Sequence, residues 1–131
     1  MKELYNRIIK FNYTFPAEAR DNFLNGNCYW YARILQERFS PWSATKIMYN
    51  PIENHFSCRL MVAANEFYLV DARGIFATSS SSCLENWIPW DQYIKDEPLD
   101  AARVYRDCIW HLDESQWEAL PQSFRSEPWT L

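Results

Sequence analysis

Glycine is scarce in this sequence. The 131 residues include two glycines, where about nine would be usual for a chain of this length. Gly26 stands two positions before Cys28, and Gly74 stands three positions after Asp71. Because glycine is favoured where the backbone needs a positive φ or a close approach, both positions indicate constrained segments of the chain, and both adjoin residues with chemically useful side chains.

Long apolar runs are also missing. No segment approaches the roughly 20 residues that a membrane-spanning helix requires. The first residues of the sequence show neither the apolar stretch nor the small-residue cleavage site of a signal peptide. We therefore expect a cytoplasmic protein that does not bind a membrane.

Basic clusters are absent as well. The formal net charge is −4 and the sequence pI is about 5.1, and no run of lysine and arginine could neutralise several phosphates in a row. Nucleic acid is therefore not an expected partner. We expect a protein or peptide as the substrate or binding partner, and the sequence does not indicate an oligomeric state.

The four cysteines, Cys28, Cys58, Cys83 and Cys108, form no Cys-x-x-Cys pair. In the absence of an export signal we expect reduced thiols instead of disulfides. The spacing of Cys28, His55 and Cys58 matches no structural zinc pattern. We therefore predict no metal and no cofactor.

What the chain does contain is a large apolar fraction, with 48% hydrophobic and 18% aromatic residues. Its length is close to the commonest domain size, so residues 1–131 should form a single domain. Periodicity predicts helices over 2–10 and 16–24, with Pro16 at the first helical position of the second. A third helix is predicted from Cys28 to Phe39, where apolar residues recur at helical spacing until Ser40 and Pro41 end the pattern.

Strands follow the helices. A short strand is predicted over 44–49 and a loop over 51–54, and residues 55–62 and 67–70 should form a hairpin. Residues 78–82 should be a surface loop. The pattern of residues 84–93 does not indicate whether they form a helix or a strand, and residues 102–112 suit either. His111 suits a structural role. The fold class is thus α+β, with N-terminal helices packed on a small antiparallel β-sheet.

Cys28 is the first candidate for chemistry. A thiol acts as a nucleophile in its thiolate form, which a helix N-terminus or a neighbouring imidazolium favours. Cys28 opens the predicted third helix, directly after Asn25, Gly26 and Asn27. The free N–H groups at that position could also bind the oxyanion of an acyl-transfer intermediate. A buried structural thiol is the alternative interpretation of Cys28.

His55 and Asp71 are the second and third candidates. His55 begins one predicted strand and Asp71 ends the next, so an antiparallel hairpin would return them to the same end. A simple turn at residues 64 and 65 pairs Asp71 with Cys58, however, and leaves His55 about three positions away. The juxtaposition of His55 and Asp71 therefore requires a β-bulge or a different turn.

Two segments resemble the transglutaminase-like branch of the papain-like cysteine enzymes. They are Gly26-Asn27-Cys28-Tyr29-Trp30-Tyr31-Ala32 and Tyr68-Leu69-Val70-Asp71-Ala72-Arg73-Gly74, with His55 heading a strand between them. The same pattern is similar to small prokaryotic and phage proteins. Ser57 stands where the family usually has an aromatic residue. The resemblance spans roughly residues 24–74, and it implies a papain/transglutaminase-like core.

The resemblance implies a catalytic triad in which Cys28 is the nucleophile, His55 is the general base and acid, and Asp71 orients His55. The implied activity is that of a thiol-dependent amide hydrolase, deamidase or acyltransferase, with hydrolysis or deamidation favoured over cross-linking. Further candidates for substrate or oxyanion contacts are Asn25, Gly26, Asn27, Asn54 and Arg73, with a salt bridge as the simpler role for Arg73. The alternative is a catalytically silent inhibitor or effector, for example a phage-encoded one, that binds a protein through a tryptophan-rich surface.

Overall fold

A computed structural model describes residues 2–24, 28–79 and 85–106. The α+β class is confirmed, because five helices accompany one five-stranded antiparallel sheet in these ranges. The helices are α1 (Lys2–Asn12), α2 (Ala17–Leu24), α3 (Cys28–Phe39), α4 (Trp90–Asp96) and α5 (Pro98–Val104). The strands are β1 (Thr45–Asn50), β2 (His55–Ala63), β3 (Glu66–Asp71), β4 (Gly74–Thr78) and β5 (Ile88–Pro89).

The helices form where the sequence predicts them. The predicted bounds of α3 agree with the structure, α2 begins one residue after its predicted start at Pro16, and α1 continues two residues beyond its predicted end. On α1 the buried apolar side chains are Leu4, Ile8 and Phe11, which follow one another at helical spacing. Burial on α3 is wider than a single stripe, since Trp30, Ile34 and Arg38 are also buried.

The sheet has the strand order β4-β3-β2-β1-β5. One face packs against the helices through Phe56, Cys58, Leu60 and Val62, which alternate along β2, and through Val70 on β3. The opposite face carries a smaller buried cluster of Met48, Leu69, Ala77 and Trp87. The catalytic candidates lie at the end of the sheet where β2 begins and β3 ends.

The required bulge is present in the β2–β3 hairpin. Ala63 pairs with Glu66, but beyond an irregularity between Met61 and Ala63 the register moves by one residue, and Cys58 pairs with Val70. If this register is continued by one pair, Asp71 on β3 lies across from Ser57 on β2. Side chains directly across from each other point to the same face of a sheet, and so do side chains two positions apart on one strand. His55 therefore lies on the same face as Asp71. Without the bulge, His55 and Asp71 would point to opposite faces.

Several details differ from the sequence-based expectations. Strand β4 was not predicted, and 84–93, which the pattern left untyped, contains the short strand β5 and the start of α4. Helix α5 begins at Pro98, before the predicted start at residue 102, with proline in the first turn where its missing N–H is tolerated. Predictions for residues 80–84 and beyond residue 106 lie outside the described ranges. In the described ranges, no helix has both the length and the apolar character needed to cross a membrane.

Candidate active site

The side chain of His55 joins the three candidate residues. Its Nε2 atom lies 2.7 Å from Oδ2 of Asp71, and its ring also forms a hydrogen bond with the side chain of Cys28. Because Nε2 is engaged by Asp71, Nδ1 is the nitrogen left for the sulfur. Three side chains from a helix start, a strand start and a strand end thus form one hydrogen-bonded chain.

Cys28 occupies the first position of α3 and is 6% exposed. The first N–H groups of an α-helix have no acceptor inside the helix, and the helix dipole places partial positive charge there. Both features favour a negative charge on the sulfur or on an oxygen bound beside it. Cys58 differs, because it is fully buried in the sheet and burial raises the pKa of its thiol to about 12.

The pKa of His55 is raised to about 9. Burial alone would lower this pKa, but the hydrogen bonds with Asp71 and Cys28 and their negative charges outweigh it. The imidazole is therefore protonated at neutral pH. A protonated ring beside a thiol can act as a proton donor to a group that reacts at the sulfur.

Asp71 is buried and accepts hydrogen bonds from two residues. Besides the contact with His55, its Oδ1 accepts the backbone N–H of Arg73 at 2.8 Å, and the Arg73 guanidinium reaches Oδ2 at 2.6 Å from Nη2 and 2.9 Å from Nε. Burial alone would raise the pKa of Asp71, but these hydrogen bonds and the nearby positive charge lower it. Asp71 therefore stays ionised, and the predicted salt bridge of Arg73 is confirmed.

Trp87 covers the outer side of this hydrogen-bonded chain. Its ring meets that of His55 edge to face, with 6.1 Å between the centroids, and only 7% of the residue is exposed. Phe76 packs against Trp87 and also lies under the guanidinium of Arg73. These rings keep water away from the contact between His55 and Asp71, and a lower local dielectric strengthens that contact.

A buried hydrogen-bond network fixes the turn that follows Asp71. The Nδ2 atom of Asn12, at the end of α1, donates to the backbone oxygen of Ala72 at 2.9 Å, and the hydroxyl of Tyr31 donates to Oδ1 of the same asparagine. Burial raises the pKa of Tyr31, and the charge of Asp71 adds to this effect. The tyrosine therefore stays neutral and serves as a donor. Gly74 closes the turn with a φ of +108°, which explains a glycine there.

The Asn12→Ala variant should lower the free energy of unfolding by about 2 kcal/mol, because it leaves the Ala72 carbonyl and the Tyr31 hydroxyl without their buried partner. Urea denaturation measures this change. Asn6→Ala, at an exposed position of the same helix, is the matched control and should leave stability unchanged or slightly higher. Equal stability of the two variants would contradict the assigned role of Asn12.

The other residues predicted to contact the substrate or the oxyanion are only partly described by the structure. Asn25, Gly26 and Asn27 lie outside the described residues. Asn54 has a φ of +53°, and its Oδ1 accepts the hydroxyl of Tyr49 at 2.6 Å, so its carboxamide oxygen stabilises the loop before His55. In the described ranges, no three His, Cys, Asp or Glu side chains form a group that could hold a metal ion.

Tryptophans are less exposed than the hypothesis of a tryptophan-rich surface requires. Trp30 and Trp87 are buried, Trp90 is half-buried, and Trp42 is 45% exposed. Trp110, Trp117 and Trp129 lie outside the described residues. The described part of the chain therefore contributes one largely exposed tryptophan to such a surface.

Sequence reasoning missed Asn12 and Trp87. Asn12 is 60 positions from the carbonyl it binds, and no local pattern signals a contact over that distance. Trp87 lies in a segment whose secondary structure the pattern did not resolve. Comparison of the chain with protein-family models, curated proteins and solved structures found no match in any of the three.

Proposed function

We propose that this chain is a thiol-dependent amide hydrolase of the papain/transglutaminase-like type, with Cys28, His55 and Asp71 as its catalytic triad. The observation that carries the proposal is the position of the His55 ring, hydrogen-bonded to Cys28 on one side and to Asp71 on the other. A histidine that had only a structural role would not need a thiol at a helix start and a buried carboxylate as its two partners.

The reaction follows from this geometry. The Cys28 thiolate attacks the amide carbonyl carbon and forms a C–S bond, and the C–N bond breaks as the His55 imidazolium donates its proton to the leaving amine. The neutral imidazole then takes a proton from water, and the resulting hydroxide attacks the thioester. The acid product leaves and the thiolate is restored. Asp71 keeps the ring oriented through both steps.

Stabilisation of the tetrahedral intermediate is assigned to the start of α3. The intermediate carries a negative oxygen next to the carbon bonded to Cys28. Backbone N–H groups at a helix N-terminus are suitable donors to such an oxygen. The same reaction applied to a side-chain carboxamide gives deamidation, in which ammonia is the leaving group.

Alkylation by iodoacetamide tests the proposal without a known substrate. At pH 7, Cys28 should react at least about tenfold faster than free cysteine, since free cysteine is mostly protonated at that pH. Peptide mass spectrometry assigns the rate to Cys28, and the fully buried Cys58 serves as an internal control that should stay unmodified in the folded protein. A Cys28 that reacts no faster than free cysteine would contradict the proposal.

A further inference from the structure

A cleft of about 300 Å³ opens beside His55, and among the described residues it is lined by Leu24, Glu53, His55 and Arg73. Its volume is at the lower end of the range for ligand sites, which suits one long side chain or a small amide. The cleft adjoins the ring that receives and returns the proton, so a group held there would lie next to the scissile bond.

The charged groups around this cleft differ in whether they already have a partner. The Arg73 guanidinium and the ring of His55 are both paired with the buried Asp71. The carboxylate of Glu53 has no hydrogen bond or ion pair within the described part of the chain. Glu53 is therefore the carboxylate of the cleft lining that is available to a cationic ligand.

Glu53 is held in place although its side chain is exposed. Its backbone N–H and that of Ile52 donate to Oδ1 of the buried Asn50, at 3.1 and 2.9 Å. At the other end of the loop, the contact of Asn54 with Tyr49 fixes the chain before His55. A carboxylate on a fixed backbone can act on a bound group with less entropic cost than one on a mobile loop.

We infer that the cleft selects cationic amide substrates, in which an ammonium or guanidinium group next to the scissile amide lies against Glu53. The inference rests on the proposed function, because it names the substrate class of the same site. Leu24 would contact the alkyl part of such a side chain, as long basic side chains combine an apolar stem with a charged end.

The test uses three thiol-modifying methanethiosulfonates that differ in charge: the aminoethyl reagent is cationic, the methyl reagent neutral and the sulfonatoethyl reagent anionic. In each case the Cys28 thiolate attacks the reagent sulfur, a disulfide forms and methanesulfinate leaves. The rate at Cys28 is followed by peptide mass spectrometry, and each rate is divided by the rate of the same reagent with free cysteine.

In the wild-type chain the cationic reagent should have the highest normalised rate and the anionic reagent the lowest. Glu53→Gln should lower the ratio of cationic to neutral rates about three- to tenfold, as expected for one partly solvated charge pair. The ratio should also fall as salt is added. Glu66→Gln, at the exposed first position of β3 and at the opposite end of that strand from Asp71, is the matched control and should not change the ratio.

Failure of this inference is distinguishable from failure of the proposed function. A wild-type ratio that Glu53→Gln leaves unchanged would overturn cation selection, even if the neutral reagent modifies Cys28 rapidly. Slow modification of Cys28 by the neutral reagent would instead contradict the activated thiol. Peptide amides with lysine, glutamine or glutamate next to the scissile bond extend the test to turnover, and kcat/KM should be highest for lysine.

Discussion

The His55→Asn variant should acylate Cys28 about 10²–10⁴-fold more slowly than the wild-type chain, the range that a positioned general base contributes. Asparagine keeps a polar side chain at the start of β2 but can neither hold the proton of the thiol nor donate one to a leaving group. The measurement uses p-nitrophenyl acetate, which acylates the thiolate and releases nitrophenolate. Intact-protein mass spectrometry counts the acetyl groups, and peptide mapping assigns them to Cys28.

His111→Asn is the matched control, because His111 is the other histidine of the sequence and was predicted to be structural. This variant should acylate Cys28 at the wild-type rate. Circular dichroism should show the same secondary structure in both variants, so that a lost rate is not a lost fold. Wild-type acylation of Cys28 in His55→Asn would contradict the role assigned to His55.

The start of α3 could be predicted because several local signals agree at Cys28. Asn25 and Gly26 interrupt the preceding helix pattern, and from Cys28 onward apolar residues recur at helical spacing until Ser40 and Pro41. Each of these signals acts within a few residues. The predicted bounds, Cys28–Phe39, agree with the structure for that reason.

The hairpin shows where local signals are insufficient. Strand pairing arithmetic indicated that a bulge was needed between His55 and Asp71, and the structure places the irregularity between Met61 and Ala63. The position of this bulge could not be predicted from the pattern of apolar residues. A bulge changes which residues face the core, but the exposed Met61 and the buried Val62 are both apolar. Their apolar character therefore does not show which of them faces the core.

The support around the triad depends on contacts between distant segments. Asn12 holds the turn after Asp71 from the end of α1, and Trp87 reaches His55 from the segment before β5. The cleft likewise combines Leu24 from α2 with Glu53 and Arg73 from two separate loops. Sequence patterns within 10 or 20 residues carry no information about such contacts. The three candidate residues were therefore predictable, whereas the groups that position them and the cleft beside His55 were not.

Removal of the Asp71 carboxylate should cause the largest loss of stability among the substitutions considered. Asp71→Ala deletes the acceptor of four hydrogen-bond donors: Nε2 of His55 and the backbone N, Nε and Nη2 of Arg73. Loss of one partner from a buried ion pair typically costs about 3–5 kcal/mol. Arg73 is half-exposed and can regain water, so a cost of about 3 kcal/mol at pH 6 is expected.

The Asp71→Asn variant keeps the shape of the side chain and isolates the effect of its charge. Because the pKa of Asp71 is lowered in the folded chain, its charge stabilises the fold above the ordinary pKa of 3.8, and this contribution is lost as the pH falls further. The pKa of His55 is raised from 6.5 to about 9. The stabilisation linked to its protonation is therefore complete below pH 6.5 and is lost as the pH rises through about 9.

The stability difference between wild type and Asp71→Asn should therefore be largest between about pH 4 and 6.5. Above pH 6.5 it should shrink by up to about 3 kcal/mol as His55 loses its proton, and the part due to Arg73 should remain. Urea denaturation from pH 3.5 to 10 measures the profile. Asp91→Asn, which removes an exposed carboxylate paired with Lys46 at 3.6 Å, is the control and should show no comparable pH dependence. A difference for Asp71→Asn that stays constant from pH 5 to 10 would mean that His55 is not protonated against this carboxylate, and the imidazolium of the proposed mechanism would then fail as well.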